Sequence, residues 1–88
     1  SLHFEHTYRS IKENIENGMQ QGLYRPNLNA DIIAKLYIGR IDLVVDKNLF
    51  PVGEYTISQI HKNAMTYHLY GIMTTQGIEL FEKYNISN

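Results

Sequence analysis

The sequence predicts a small all-α protein with four helices in a single domain. Apolar residues recur at steps of three and four along much of the chain, which is the period of an amphipathic helix. Glycine, proline and helix-capping residues interrupt this pattern and divide it into four segments. The chain has 88 residues and contains no repeat, linker or low-complexity tract, so one domain is predicted to cover residues 1–88.

A first helix is predicted over residues 3–21. Its apolar side chains recur at steps of three and four and form one stripe along the helix: Phe4, Tyr8, Ile11, Ile15, Met19 and Leu23. Gly22 predicts a C-terminal cap in the left-handed conformation, followed by a hydrophobic contact of Leu23. Pro26 cannot continue a helix, so residues 24–28 are predicted to form a turn.

A second helix is predicted over residues 29–47, with Asn29 as its N-cap and Asp31 where the helix dipole favours a carboxylate. Its apolar positions cover well over half of the circumference: Ile32, Ile33, Leu36, Tyr37, Ile38, Ile41, Leu43, Val44 and Val45. We therefore expect one side to face this chain and the other to face a second chain. Gly39 costs about 1 kcal/mol relative to alanine, which predicts a close helix crossing there. The apolar connection at 49–53 is predicted to lie under the bundle.

The last two helices are predicted from their capping residues. Thr56 and Gln59 have the spacing of a capping box and begin a third helix over residues 56–73. Its apolar arc is again wider than one stripe, which also indicates burial on two sides. The threonine pair at 74–75 offers an N-cap for a short terminal helix over residues 75–84.

Composition argues against several classes of function. Eight Lys and Arg against nine Asp and Glu leave a net charge of −1, so the chain lacks the basic face that binding to DNA phosphates needs. There are no cysteines, which excludes disulfides, thiol catalysis and zinc–thiolate sites. No apolar run approaches the roughly 18 residues of a membrane span, and no signal peptide opens the chain, so a cytoplasmic location is predicted.

Four histidines raise the question of a metal site. His3 and His6 have a spacing that can place two ligands on one helix face, but no third ligand is fixed near them, so a solvated role is favoured. His61 and His68 are about 10.5 Å apart along a helix, which is too far for one ion. These two are predicted to line a cavity or an interface, and His68 is a candidate for contact with a ligand.

Catalytic motifs are missing from the sequence. It contains no glycine-rich phosphate loop, no nucleophile elbow and no HExxH pair. Glu13 and Glu16 lie close together, but on the polar face of the first helix they are ordinary solvated carboxylates. We therefore expect that the chain is not an enzyme and that it holds neither a metal ion nor a cofactor.

Two segments of the sequence carry a resemblance to a known family. In residues 18–37, the turn Gly22–Arg25 (GLYR) ends a long helix, and the next helix begins after a few polar residues. Residues 67–77 (YHLYGIMTTQG) are similar to an ending of the form YHxRGIATPKG. Together with a Phe-Pro connection at 50–51, these segments resemble the regulatory domain of bacterial TetR-family transcriptional regulators of the Bacteroidetes type, across about residues 11–84. The sequence departs from the ending at Tyr70, Met73 and Gln76.

The resemblance implies the C-terminal effector-binding and dimerisation part of such a regulator. It implies that the second and third helices of two subunits form a four-helix dimer bundle, and that DNA is bound only through an N-terminal helix-turn-helix domain that nothing in this chain matches. The predicted interface residues are Leu36, Gly39, Arg40, Ile41, Val44, Met65, His68, Leu69 and Ile72. The predicted wall of a pocket for an unidentified small-molecule effector is Tyr8, Ile11, Ile15 and Met19.

Alternative interpretations remain open at this stage. Arg40 is either one half of an interfacial ion pair with an acid of the partner chain or a surface arginine whose stem covers apolar surface. The chain as a whole could instead be a free-standing helical module that forms homodimers or binds a partner protein without any ligand. A third interpretation, a small metal-binding protein, depends on the histidines alone.

Overall fold

Four α-helices make up the part of the chain that the computed structural model describes, which is residues 2–87, with side chains described for residues 4–85. The helices are α1 (Leu2–Gln20), α2 (Ala30–Val44), α3 (Ile57–Ile72) and α4 (Thr75–Ser87). No β-strand occurs within residues 2–87, so the all-α prediction is confirmed. Each predicted helix boundary lies within three residues of the observed one.

The core lies where α1 packs against α2. Ile15, of which 2% is exposed, packs against the small side chains of Ala30 and Ala34, which let the two helices approach closely. Partly buried apolar side chains surround this contact: Tyr8, Ile11, Met19, Tyr24 and Ile33. At its edge the hydroxyl of Tyr8 donates a hydrogen bond to the carboxylate of Asp31. That bond, together with Lys35, holds the pKa of Asp31 below its usual value.

Hydrogen bonds from neighbouring polar side chains determine where α2 begins and ends. The side chain of Asn29 accepts a hydrogen bond of 3.1 Å from the amide of Ile32, which confirms the predicted N-cap. The helix ends at Val44, three residues earlier than predicted. Asp46 is the reason, because its carboxylate accepts hydrogen bonds from the amides of Asn48 and Leu49 and so offers the backbone an alternative to further helix.

The connection from α2 to α3 differs from its prediction in one respect. The capping box is confirmed, because the amide of Thr56 donates to the Gln59 side chain at 2.9 Å and the amide of Gln59 donates to the Thr56 hydroxyl at 3.0 Å. The prediction that the apolar connection lies under the bundle is wrong, since Leu49 and Val52 are exposed. The molecule is flat, 22 Å thick along its short axis, and these two apolar side chains stay in contact with solvent.

A cap with glycine in the left-handed conformation ends α1, as the sequence predicts. Gly22 has a φ of 77°, and its amide donates to the carbonyl of Met19 while the amide of Leu23 donates to the carbonyl of Gly18. The ring of Tyr24 then lies directly over Gly18. A Cβ atom at Gly18 would lie 3.0 Å from Cγ of that ring and closer still to two other ring carbons, so this position needs glycine.

Hydrogen bonds join the turn after α1, residues 22–25, to residues 71–77, where α3 ends and α4 begins. We call this contact the junction. Tyr24 and Met73 form an isolated antiparallel bridge. The amide of Arg25 donates to the carbonyl of Ile72 at 2.8 Å, and the guanidinium of Arg25 donates to the carbonyl of Gly71. The two segments that carry the family resemblance, far apart in sequence, therefore contact each other directly.

The hydroxyl of Thr74 is central to the junction. It donates to the carbonyls of Gly22 and Leu23, and it accepts a hydrogen bond of 3.0 Å from the amide of Gly77, which makes Thr74 the N-cap of α4. A Cβ atom at Gly77 would lie 3.0 Å from the carbonyl carbon of Leu23 and closer still to its oxygen. The junction therefore requires glycine at position 77.

The overall shape is more open than that of a typical domain of this size. The radius of gyration is 14.5 Å, whereas a compact domain of this length has about 12 Å. The accessible surface is 6735 Å², which is about 1,400 Å² more than the roughly 5,300 Å² expected of a monomer of this mass. Much of the additional exposed area is apolar side chain on α2, on α3 and in their connection.

Candidate functional site: an apolar groove between α2 and α3

A groove lies between α2 and α3, and we call it the α2–α3 groove. Its volume is about 890 Å³, which is within the range of ligand sites. It is lined by Arg25, Ile33, Leu36, Tyr37, Arg40, Leu43, Val44, Leu49, Phe50, Tyr55, Gln59, Ile60, Asn63, Ala64, Tyr67, His68, Gly71 and Ile72. Apolar and aromatic side chains dominate this lining, and no carboxylate of the described residues belongs to it.

The residues of α3 that line the groove recur with the period of the helix. On α3, the residues Ile60, Ala64, Tyr67 and Gly71 follow one another at steps of four, three and four, so they share one face. Tyr67 lies on that face, and 86% of this residue is exposed to solvent. Tyr67 shares the groove with the exposed Leu36 and Leu43, and an exposed apolar patch of several residues marks an interaction surface in many proteins.

An exposed apolar stripe on α2 forms the outer rim of the groove, and we call it the α2 stripe. It consists of Ile32, Leu36, Gly39 and Leu43, again at steps of four, three and four, which is the spacing of a helix–helix seam. Leu36 is the most exposed of its large side chains, at 66%. Gly39 has no atom of the chain within 4 Å of where its Cβ would be. The close crossing predicted at Gly39 therefore does not occur within the described chain.

A cluster of aromatic and cationic side chains lies in the groove. The guanidinium carbon of Arg40 is 4.1 Å from the centre of the Tyr37 ring, a cation–π contact. The ring of His68 meets the same tyrosine edge-on, with 4.8 Å between ring centres. Burial, reinforced by the positive charge of Arg40, holds the pKa of His68 below its usual value of 6.5. At neutral pH the imidazole is therefore uncharged, and Arg40 supplies the positive charge of the cluster.

The two arginines of the groove differ in their hydrogen bonding. Arg25 is engaged with the carbonyl of Gly71 at the junction. Arg40, by contrast, has a buried Nε atom without a hydrogen-bond partner among the described residues. A buried donor that lacks a partner is costly, and such donors in native proteins are commonly satisfied by water, a ligand or another chain.

The predicted interface residues occupy different environments. Leu36, Gly39 and Ile41 are exposed, and the four that are partly buried are Arg40, Met65, His68 and Leu69. Val44 and Ile72 are 5% and 4% exposed, so they belong to the floor of the groove rather than to an outer surface. Of the exposed members, Leu36 and Gly39 lie on the α2 stripe, whereas Ile41 lies on another side of α2 and does not line the groove. The role of these residues in a dimer stays a prediction.

The predicted effector-pocket wall on α1 lies elsewhere. Tyr8, Ile11, Ile15 and Met19 pack against α2 in the core, and none of them lines the α2–α3 groove. In the part of the chain that the structure describes, no group of three His, Cys, Asp or Glu side chains could hold a metal ion. The side chain of His3 lies outside the described residues, so the expectation for that position stays a prediction.

Several residues of the groove were not among the predicted interface or pocket residues, namely Leu43, Tyr55, Ile60 and Tyr67. The spacing of the α2 stripe is a signal that could have found Leu43, because positions 32, 36, 39 and 43 share one side of a helix. Tyr55 could not have been found in this way, since it belongs to the connection, where no periodicity applies.

Comparisons with known protein families, curated proteins and solved structures find no match for this chain. Within residues 2–87, no helix has both the length and the apolar content needed to cross a membrane. The α2–α3 groove and the α2 stripe are therefore the features from which a function has to be argued.

Proposed function

We propose that this chain is the dimerisation and effector-sensing part of a transcriptional regulator of the TetR type. Such a protein acts on DNA through a helix-turn-helix domain outside this sequence. The observation that carries the proposal is the open apolar face of α2 and α3, with Leu36 and Tyr67 largely exposed on it. The additional exposed surface of about 1,400 Å² is ample for a lasting homodimer contact, which buries roughly 800 Å² or more per partner.

The junction gives independent support to the resemblance. The GLYR turn and the segment 67–77 are the two parts of the sequence that resemble the family, and they form one hydrogen-bonded unit. Gly77 is required there by the Leu23 carbonyl, which gives a physical reason for a glycine at that place in the motif. The motif is thus a structural unit that sets the direction of α1 and α2 relative to α3 and α4.

The proposed mechanism is a coupling between two binding events. Two copies associate through α2 and α3, so that each patch meets its own copy across a two-fold axis. A ligand that changes how these helices pack then changes the separation of the two DNA-binding domains, and DNA affinity changes with it. The α2–α3 groove is where such a ligand and such packing would meet.

Sedimentation equilibrium at micromolar concentration tests the dimer. We expect a mass of twice 10.2 kDa for the chain and a shift towards the monomer for Leu36→Lys, which places a charge on the α2 stripe. The matched control is Leu80→Lys, an exposed leucine on α4 away from the groove, which should leave the mass unchanged. A well-folded monomer at this concentration would contradict the proposal.

The reading frame upstream of Ser1 in the genome separates the regulator from the alternative, a free-standing dimerisation module. A frame that continues into three further helices with a helix-turn-helix pattern supports the regulator. A start codon directly before Ser1 would instead favour the module. The same open face supports a dimer in both cases, so the dimer measurement alone does not discriminate between them.

A further inference from the structure

We infer that the α2–α3 groove binds a small amphiphilic carboxylate, a molecule with one carboxylate group and an apolar body, with Arg40 pairing with the carboxylate. The inference rests on the proposed function for the role of this molecule as an effector. Binding itself depends only on the groove. The chemical class of the ligand follows from three properties of the groove, which are its charge, its lining and its size.

Charge is the first property. The groove contains the two cations Arg25 and Arg40 but no Asp or Glu among its described lining residues, so its net charge is positive. Arg25 already donates to a backbone carbonyl, whereas Arg40 keeps a buried Nε without a partner. A guanidinium presents its donors in a fork that matches a carboxylate, and Arg40 is the lining cation whose side chain makes no hydrogen bond to the described residues, so it is the group that fits a carboxylate best.

The lining and the size of the groove are the reasons to expect a ligand with an apolar body. The groove-lining residues of α2 extend from Ile33 to Val44, about 16 Å of helix. Leu36, Leu43 and Ile60 line this length, with only a few polar groups such as Asn63 among them. A carboxylate alone would leave nearly all of this surface in water. An apolar body of several carbon atoms would cover it, at roughly 25 cal/mol for each Å² removed from water.

A second copy of the chain is a less suitable occupant of the groove itself. If the groove of one copy met the groove of another across a two-fold axis, Arg40 would meet further cations and no carboxylate of the lining. Like charges brought together in this way oppose association. We therefore place the second copy on the exposed side chains at the rim, which are the α2 stripe and Tyr67 of α3, and the carboxylate inside the groove.

Titration calorimetry of the 88-residue chain with decanoate at pH 7 tests the inference. We expect one decanoate to bind per chain and decanol, which has the same apolar body without the charge, to bind at least about tenfold more weakly. Acetate, which has the charge without the apolar body, should show no measurable binding in the same range.

Arg40→Gln should weaken decanoate binding by about tenfold or more and should weaken decanol binding much less, because the guanidinium that it removes can pair with the carboxylate but not with the alcohol in the same way. The matched control is Arg9→Gln, since Arg9 is exposed on α1 and does not line the groove. Helix content by circular dichroism checks that each variant is folded. If Arg40→Gln does not fold, Arg40→Lys decides, because it keeps the charge but loses the fork and should lower the preference for decanoate over decanol.

Equal affinity for decanoate and decanol would overturn the inference, and so would absence of binding or an Arg40 variant with unchanged preference. Decanoate affinity that falls as protein concentration rises, in parallel with dimer formation by sedimentation, would show that a second copy fills the groove instead. A monomeric chain that still binds decanoate through Arg40 would contradict the proposed function and leave this inference intact.

Discussion

The backbone amide of Thr74 donates a hydrogen bond of 2.9 Å to the carbonyl oxygen of Leu23, and the hydroxyl of Thr74 donates to the same oxygen at 3.2 Å. The carbonyl of Leu23, in the turn after α1, thus accepts hydrogen bonds from both donors of Thr74, the N-cap of α4. This arrangement allows no Cβ atom at Gly77, which packs against the same carbonyl.

Gly77→Ala should lower the free energy of unfolding by about 1–3 kcal/mol, because the new methyl group would overlap backbone atoms of Leu23, which cannot move aside as a flexible side chain could. Gly71→Ala is the matched control. Position 71 is helical with open space around it, so alanine should raise the free energy by about 0.5–1 kcal/mol. Urea denaturation measures both, and equal effects of the two substitutions would contradict the role given to Gly77.

Thr74→Val should cost about 1–3 kcal/mol of unfolding free energy, since it removes the hydroxyl that caps α4 and that bonds the carbonyls of Gly22 and Leu23. Valine keeps the shape of threonine, so packing changes little. Thr74→Ser keeps the hydroxyl and should retain most of the stability. If valine and serine have the same effect in thermal or urea unfolding, the hydroxyl is not what holds the junction.

Gly39→Leu separates the stability of one copy from its association with another. Within a single chain nothing lies within 4 Å of the added Cβ, and leucine is the better helix former by about 0.5–1 kcal/mol, so helix content should be kept or increased. In a dimer formed through the α2 stripe, the same side chain should overlap the partner copy and weaken association. Sedimentation together with circular dichroism measures both effects, and a fully dimeric variant would place the interface elsewhere.

His68 should make stability depend on pH between about 7 and 5. Its pKa in the folded chain is below the usual value of 6.5, so the unfolded chain binds more protons in this range. The contribution is fully present above 6.5 and is lost as pH falls through 6.5 towards the folded pKa. The groups that face the ring are Tyr37 and Arg40.

His68→Gln should therefore lose less stability than the natural chain when the pH is lowered from 7 to 5, as measured by urea denaturation at each pH. His61→Gln is the control, because His61 is exposed on the same helix and should leave the pH dependence unchanged. Parallel pH profiles for the natural chain and the His68 variant would show that burial of this ring does not affect its titration.

Local signals in the sequence were sufficient to predict the helices. Asn29, the capping box at Thr56 and the glycine cap at Gly22 are each decided by residues within a few positions, and the structure confirms all three. The predicted end of α2 was wrong by three residues, because the carboxylate of Asp46 accepts hydrogen bonds from two amides of the following turn. That competition depends on which of two local hydrogen-bonding patterns is lower in free energy, and apolar periodicity does not report it.

The groove was predicted only in part. The wide apolar arc of the second helix correctly indicated that one side of it remains uncovered by this chain, and Leu36 was named from it. Val44 and Ile72 were expected on an outer surface, but they form the buried floor of the groove. Which side of a helix faces its own chain depends on the direction in which the junction sends α3, and that direction results from hydrogen bonds between residues about fifty positions apart.

The junction also has a kinetic consequence. Its contact between Leu23 and Thr74 closes a loop of 51 residues, whereas the core of α1 and α2 closes a much shorter one. Since loop closure costs more entropy as the loop lengthens, we expect the α1–α2 hairpin to form first and α3 and α4 to dock onto it last. The amide of Thr74 should then exchange with solvent through an opening that leaves the hairpin protected. A second copy bound across both α2 and α3 would suppress this opening, so assembly would slow the exchange of an amide that the partner never touches.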